Sequence, residues 1–466
     1  MFLLTHLSIV LGLICAYLIL LRVSRERRSP SHTFSWLLFV LLMPYLGVPL
    51  YLLFGGRKSS RKARLKAEVS RYADQLSSRG GGTDGGNCLT PGNTRRQSSS
   101  EGNHFELLPD GASAYRRLLK EIDQAEHTIH ITTYILGKDQ SGKTIVEHLA
   151  KRTAEGVTVR VILDSLGSWN KTRLARRKLR QSGGEVSMFI PVLPLQPHIS
   201  ANLRNHRKIA IFDNYRSITG GQNLDNRFLG DWHDPSRFID FSVVTQGPAV
   251  AEITRTFIAD WTFSTKKSPS AFKELLRYVP EKAGNSTIEV IPSGPDIPED
   301  QLWEQVLRLV QEFKQHLTIV TPYFIPDDLL LQSLLVKAHT GRRIRLILPL
   351  KSNQRIADIA RHRALAELST AGVEILLYQP TMLHAKLILA DDYIALTGSA
   401  NIDVRSLFVN FELALVHYTA SDIQALSAWA KELEKDCMNY KEAVRDPDFT
   451  PSRWSQDLVQ LISPLL

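Results

Sequence analysis

Cysteine is scarce in this chain. Its 466 residues contain three, Cys15, Cys88 and Cys437, and none forms a CxxC pair. This excludes a disulfide scaffold and a cysteine-rich zinc site. Cys15 lies inside an apolar run, so a reducing surrounding suits the bulk of the chain. Acidic residues are nearly missing from the N-terminal end. Residues 1–66 hold ten Lys/Arg against Glu26 alone, a net +9, which leaves +1 for the other 400 residues of a chain whose total is +10. A nucleic-acid enzyme carries its positive charge on the binding domain. Here the charge flanks apolar segments, which fits a membrane surface and argues against nucleic acid. Hydrophobic residues at 43% and charged residues at 22% exclude a mainly disordered chain. The length suits two or three domains.

Two long hydrophobic runs are present. Residues 2–21 are broken only by Thr5, His6 and Ser8, and residues 36–54 form a second run of similar length. About 20 apolar residues span a bilayer as a helix. A cleaved signal peptide is the alternative for the first run, but no basic residue precedes it and no A-x-A site follows. Both the loop at 22–35 and the tail after Phe54 are basic. Two simple crossings would place these stretches on opposite sides, against the positive-inside tendency. Pro44, Gly47 and Pro49 interrupt the second run, so a re-entrant hairpin with both stretches on the cytoplasmic side is the other solution. In either topology Trp36, Tyr45 and Tyr51 suit interface depth.

Residues 77–104 are rich in Gly, Ser, Asn and Pro and read as a flexible tether, after a short helical stretch at 61–76. Beyond it, short β-branched runs alternate with amphipathic stretches. The strand patterns are 128–135, 157–165, 185–190, 207–213 and 241–247, then 286–294, 317–325, 343–350, 373–379, 384–391 and 411–417. Helical patterns lie at 141–155, 248–263, 300–315, 327–340 and 353–371. Such alternation predicts α/β layers, and two passes through it predict a duplicated architecture. The expected divisions are a membrane-anchoring segment (1–60), a basic stretch and linker (61–106), and two similar halves (107–270 and 271–466), each a mixed β-sheet flanked by helices.

The chemistry lies in the repeat. The first copy places His206, Lys208, Asp213, Gly220, Gly221 and Asn223 in a H-x-K-x4-D-x6-G-G-x-N frame. The second places His384, Lys386, Asp391, Gly398, Ser399 and Asn401 in the same frame, 178 residues later. Chance supplies one H-x-K-x4-D; two in identical frames are a strong signal. Period-two alternation in a strand puts each His and Lys on one face. A second strand, turning back, delivers the Asn. Two such faces together gather two imidazoles, two ammonium groups and two carboxamides around one point, which suits a phosphodiester. One imidazole attacks phosphorus. The other protonates the leaving alcohol and deprotonates the incoming one. Lys208, Lys386, Asn223, Asn401 and Ser399 are candidates to hold the non-bridging oxygens. The bland alternative is two satisfied core histidines with surface lysines. A metal site is disfavoured, because each His has a cationic Lys on its own face and two lysines remove the need for a metal.

With these motifs the sequence resembles the phospholipase D superfamily, and within it the bacterial cardiolipin synthases. The resemblance covers nearly the whole chain outside the tether. It also rests on SWLLFVLLMPYLGVPLYLLFGG (35–56), LDSLGS (163–168), RNHRK (204–208), TGGQN (219–223), TPYFIPDD (321–328), RSLFVNFE (405–412) and the terminal SPLL (463–466). It implies two phospholipase D-like halves with their motifs facing one another across a pseudo-two-fold axis. It implies no cofactor, and a phosphatidyl-histidine intermediate on one histidine with the other as acid and base; His206 is taken as the nucleophile and His384 as acid and base, an order the motifs leave open. Asp213 and Asp391, grouped with the catalytic residues by the motif, look structural in this family; a turn residue at a strand end is the equal alternative. Asp240 and Glu412 are the candidates to orient the histidine rings, since each follows its motif at a similar distance at the start of a strand. Which serves which is left open. Gly221 departs from the superfamily's Ser, leaving in doubt only a phosphate role for that hydroxyl.

The resemblance further implies phosphatidylglycerol and cardiolipin as lipid partners and a bacterial inner membrane location with the catalytic region facing the cytoplasm. A hydrolase using water, or a lipid-binding scaffold without catalysis, are the competing functions. No P-loop or CDP-alcohol signature is present. Weaker features have two readings each. The basic run 171–180 is an anionic-lipid contact or a solvated helix face. The Pro-rich 191–199 is an acyl groove or a buried loop. Tyr134 and Tyr323 flank the site or are core aromatics. His233 reads as a surface or supporting residue.

Overall fold

The computed structural model describes residues 17, 38–41, 43, 45, 47, 51, 69, 71–72, 99–169, 172–191, 203–297, 300–446, 449–452, 454–456 and 459. Most of the two apolar runs, the tether up to residue 98 and most of 191–199 lie outside them. Among the described residues no helix is long and apolar enough to cross a membrane.

The first half contains β1 (Ser99–Leu108), α1 (Gly111–Gln124), β2 (Thr128–Thr133), α2 (Gln140–Ala154), β3 (Thr158–Asp164), α3 (Arg173–Gln181), β4 (Glu185–Phe189), β5 (Ile209–Phe212), β6 (Arg216–Gly220), β7 (Ser242–Gln246) and α4 (Ala249–Thr265). A short α5 (Lys273–Arg277) leads to β8 (Ser286–Ser293). The second half continues with α6 (Gln301–Glu312), β9 (His316–Val320), β10 (Phe324–Ile325), α7 (Asp328–His339), β11 (Arg343–Pro349), α8 (Arg355–Thr370) and β12 (Glu374–Tyr378). It ends with β13 (Leu387–Ala390), β14 (Ile394–Gly398), β15 (Ile402–Asp403), α9 (Val404–Phe408), β16 (Glu412–His417), α10 (Ala420–Glu434), β17 (Cys437–Asn439) and α11 (Tyr440–Ala443).

Strand for strand the halves match. One runs β1-β7-β6-β5-β2-β3-β4 and the other β8-β16-β14-β13-β9-β11-β12, with β17 added at the far edge. In both, three strands are parallel (β2, β3 and β4; β9, β11 and β12) and the motif hairpin pairs antiparallel beside them. The central strands are apolar on both faces because helices cover both; β5, β13 and β16 are buried along their whole length.

The sheets of the two halves are joined edge to edge into one. β1 is the seam. Its first residues pair with β8 (Ser99↔Glu289, Asn103↔Ser286) and its later ones with β7 (His104↔Gln246 to Leu108↔Ser242). Residues 99–106 therefore belong to the first half and not to the linker. Their polar composition reads as tether because the strand is made by backbone pairing across the seam, and no apolar face marks it. Asn103 locks the crossing. Its buried amide donates to Ser100 O and Ser286 O and accepts from Ala249 N at 2.8 Å. A shared core reinforces the joint, bringing Phe189, Phe257 and Trp261 against Leu383, Phe411 and Leu413; Val69, before the tether, packs into it.

Candidate active site

Each histidine lies on the approach to its strand rather than within it, because β5 starts at Ile209 and β13 at Leu387. The approach is tied to the opposite half. His206 N donates to Phe411 O at 2.9 Å, and His384 N donates to Ile239 O at 2.7 Å. The pairing of orienting carboxylates is crossed in the same way. His206 Nδ1 lies 2.9 Å from Glu412 Oε1, and His384 Nδ1 lies 2.8 Å from Asp240 Oδ2. Both carboxylates are almost fully buried. A proton held on Nδ1 by a carboxylate leaves the Nε2 lone pair for chemistry.

The lysines fold back onto the histidines they follow. Lys208 Nζ donates to His206 O at 2.6 Å, and Lys386 Nζ donates to His384 O. Burial, with the opposing lysine adding to it, pushes Lys208 down to about 7, and burial pushes Lys386 down to about 8. Burial also lowers the two histidines, His384 well below its usual value with Lys386, Lys208, His206 and Arg227 contributing. Asp240 is raised by burial to about 6. The crossed contacts of His206 with Glu412 and of His384 with Asp240 bring the two motifs to one place, where the groups of each also lower those of the other. A bound anion would offset the desolvation that lowers the two lysines.

The remaining motif residues divide. Asn223 Oδ1 accepts from Ile135 N at 3.3 Å, and Asn401 Nδ2 donates to Asp403 Oδ2 at 3.0 Å. Ser399, expected at phosphate, donates its hydroxyl proton to Glu412 Oε2 and accepts from Leu413 N. It holds the orienting carboxylate. At the equivalent position a Cβ on Gly221 would stand 2.4 Å from Asp240 Oδ2, so the first copy has no room for a serine. Asp213 and Asp391 sit at the far ends of their strands from the histidines, at positive φ (51° and 49°). Asp213 accepts from the N–H groups of Glu126, His127 and Thr128, and Asp391 from those of Lys314, Gln315 and His316. Their grouping with the catalytic residues is corrected accordingly: each locks a turn.

Tyr134 packs edge-on to His206 at 5.2 Å, with Lys208 Nζ 5.8 Å from its ring. Tyr323 instead donates to Asn353 Oδ1, and the rings around His384 are Phe228 (4.8 Å) and Phe238 (6.2 Å). His233 is exposed. Sequence reasoning missed Arg207 and Asp260. Arg207, the middle residue of the first H-x-K, is fully buried and pairs with Asp260 at 2.7 and 2.6 Å. It also donates to Glu412 O at 2.9 Å and to Ser293 O, so it fixes the strand that carries Glu412. Its counterpart is Ala385, and no spacing rule marks the difference. Among the described residues no cluster of His, Cys, Asp and Glu has a metal-binding arrangement.

Known proteins resemble this chain at three levels. A family model described as cardiolipin synthase, PLD-like domain, matches residues 118–261 and 306–436, and one described as phospholipase D-nuclease N-terminal matches 10–56. The major cardiolipin synthase ClsA of Bacillus subtilis is 29% identical over 99% of both chains. The cardiolipin synthase of Alkalihalophilus pseudofirmus is 30% identical over 95% of this chain and 90% of its own. In fold alone, the chain is similar to the phosphatidylserine synthase of Haemophilus influenzae, at 14% identity and a TM-score of 0.60 over 77% of this chain and 92% of that one. Two matched repeats spanning more than half of the sequence, each carrying one of the facing histidines, make the chain a member of the cardiolipin synthase family of phospholipase D-like proteins.

Proposed function

We propose that the protein is a phosphatidyltransferase that makes cardiolipin from two molecules of phosphatidylglycerol. His206 Nε2 attacks the phosphorus of the first, and His384, taking up a proton at Nε2 as the anionic lipid binds, gives it to the departing glycerol. The P–O bond to glycerol breaks as the P–N bond forms. The free primary hydroxyl of a second phosphatidylglycerol then gives its proton to His384, and its oxygen displaces His206 from phosphorus. One phosphodiester replaces another, so no nucleotide is consumed. Lys208 and Lys386 counter the charge that builds on the non-bridging oxygens. Glu412 and Asp240 support whichever imidazolium forms.

The observation that carries this reading is the crossed pair of histidine–carboxylate contacts, His206 with Glu412 and His384 with Asp240. Each half lends the carboxylate to the other's histidine, so the site exists only when the two motifs face one another. The lipid surface has a matching feature. Leu166, Trp169 and Leu174 are exposed beside Arg173, Arg176 and Arg177. The Leu166–Trp169 loop is tied to the site: Ser168 Oγ donates to Tyr134 O, and Asp164 accepts from Leu166 N, Gly167 N and Asn205 N. An anionic bilayer at this face delivers headgroups to the cleft. The proposed location is the bacterial inner membrane, catalytic body on the cytoplasmic side.

The test uses purified full-length protein in vesicles of phosphatidylglycerol alone, following cardiolipin and glycerol together. One glycerol per cardiolipin, lost in His206→Ala and His384→Ala, is the expected result. Phosphatidic acid without cardiolipin would make water the acceptor and the protein a hydrolase. No lipid turnover would favour a binding scaffold.

A further inference from the structure

The internal repeat extends beyond its asparagines. Asn223, Asp225 and Arg227 recur as Asn401, Asp403 and Arg405, again 178 residues apart. The fold uses the two arginines differently. In the second copy Asp403 caps α9 through Ser406 N and takes Asn401 Nδ2. In the first copy buried Asp225 grips its arginine: Arg227 Nε and Nη2 lie 3.1 and 2.5 Å from Asp225 Oδ2. The guanidinium carbon is then 6.0 Å from the centroids of both Phe228 and Phe238. These are the two rings that pack on His384. Nη1 bonds to nothing among the described residues, and the side chain is 45% exposed. Arg227 is thus an arginine held by one edge beside the two rings that pack on His384, with its other edge toward solvent. Such a fixed, half-open guanidinium suits a phosphodiester.

We propose that Arg227 binds the phosphodiester of the acceptor lipid. The inference rests on the reading above, in which His384 deprotonates the incoming hydroxyl. In phosphatidylglycerol that hydroxyl oxygen and the lipid's own phosphorus are separated by three carbons and an ester oxygen, a span of about 6 Å. An anion must therefore lie a short reach beyond His384, where Arg227 stands. During the step the acceptor O–H proton passes to His384 and the acceptor oxygen bonds to phosphorus. The P–N bond to His206 breaks and its electron pair returns to the imidazole. Arg227 takes no part in these bond changes; it places the acceptor and distinguishes it from water and from free glycerol, which carry no phosphate.

The experiment compares two fates of one intermediate. Full-length protein in phosphatidylglycerol vesicles with labelled glycerol forms cardiolipin when the acceptor is lipid, and labelled phosphatidylglycerol when it is free glycerol. For Arg227→Gln the ratio of cardiolipin to exchange should fall roughly 10- to 100-fold. Arg227→Lys should recover part of it, and the KM for acceptor lipid should rise. Equal loss of both products would make the role structural, and an unchanged ratio would remove the subsite. If the wild type forms only phosphatidic acid, the proposed function itself fails, an outcome distinct from either of these.

Discussion

At the residue scale, the site depends on what is not at position 221. The superfamily pattern suggests that serine would be harmless there, since Ser399 occupies the equivalent place. The geometry says otherwise, because the two carboxylates sit differently. Ser399 reaches Glu412 with its hydroxyl, whereas at Gly221 even a methyl group would stand 2.4 Å from Asp240 Oδ2. Gly221→Ala should therefore push Asp240 off His384 Nδ1 and lower transfer roughly 100-fold, with the protein still folded. Steady-state rates with a thermal melt in detergent check this; normal turnover would show that Asp240 does not orient the ring. The paired spacing made the histidines and lysines legible. The role of Ser399 was not, because a side chain's partner depends on the direction in which the turn delivers it; for Asp213 and Asp391 the turn was one of the readings left open.

At the scale of elements, the aspartates that close the motif belong to turns. Asp391 gathers three backbone N–H groups in a left-handed turn, and these hydrogen bonds hold its carboxyl below the usual carboxylate range despite the desolvation that opposes them. A carboxylate with a depressed folded-state value stabilises the fold above its unfolded value and loses that contribution as pH falls through the folded one. Asp391→Ala should thus lower stability by about 1–2 kcal/mol at pH 7. The gap from wild type should close as pH drops below about 4. Melting temperatures across pH test this, and a gap that persists in acid would contradict it. Most strands and helices were readable from hydrophobic alternation. α1, α10 and β1, with the short α5, α9, α11, β15 and β17, were not assigned. β1 is polar on its outer positions and is set by hydrogen bonds to residues nearly 190 positions away.

For the whole molecule, the open question is how a cleft between two halves meets a substrate that stays in a bilayer. α3 carries a groove lined by Arg173, Arg176, Arg177 and Arg180, and Leu174 (79%) and Trp169 (48%) are exposed large apolar side chains near it in the chain. Charge reversal at Arg173 and Arg177 together should reduce cardiolipin formation on phosphatidylglycerol vesicles several-fold and flatten its dependence on salt. Turnover of short-chain phosphatidylglycerol below its micelle concentration should be little changed. Equal activity on vesicles would remove this face from membrane contact.

The sequence by itself determined the phosphodiester chemistry, while its motifs left the acceptor, water or lipid, open. Two histidines and two lysines in identical frames are a statement about chemistry that needs no coordinates, and the duplication already implied two matching halves. Tertiary structure alone decided the assignments. Glu412 lies 206 residues from His206, and Asp240 lies 144 from His384, so which carboxylate serves which ring follows from how the halves cross. The same holds for β1, which joins the sheets by backbone pairing, and for Arg207 and Asp260, a buried ion pair whose members share no local pattern. Local spacing is written in the chain, whereas contacts between distant segments exist only once the core has closed around them.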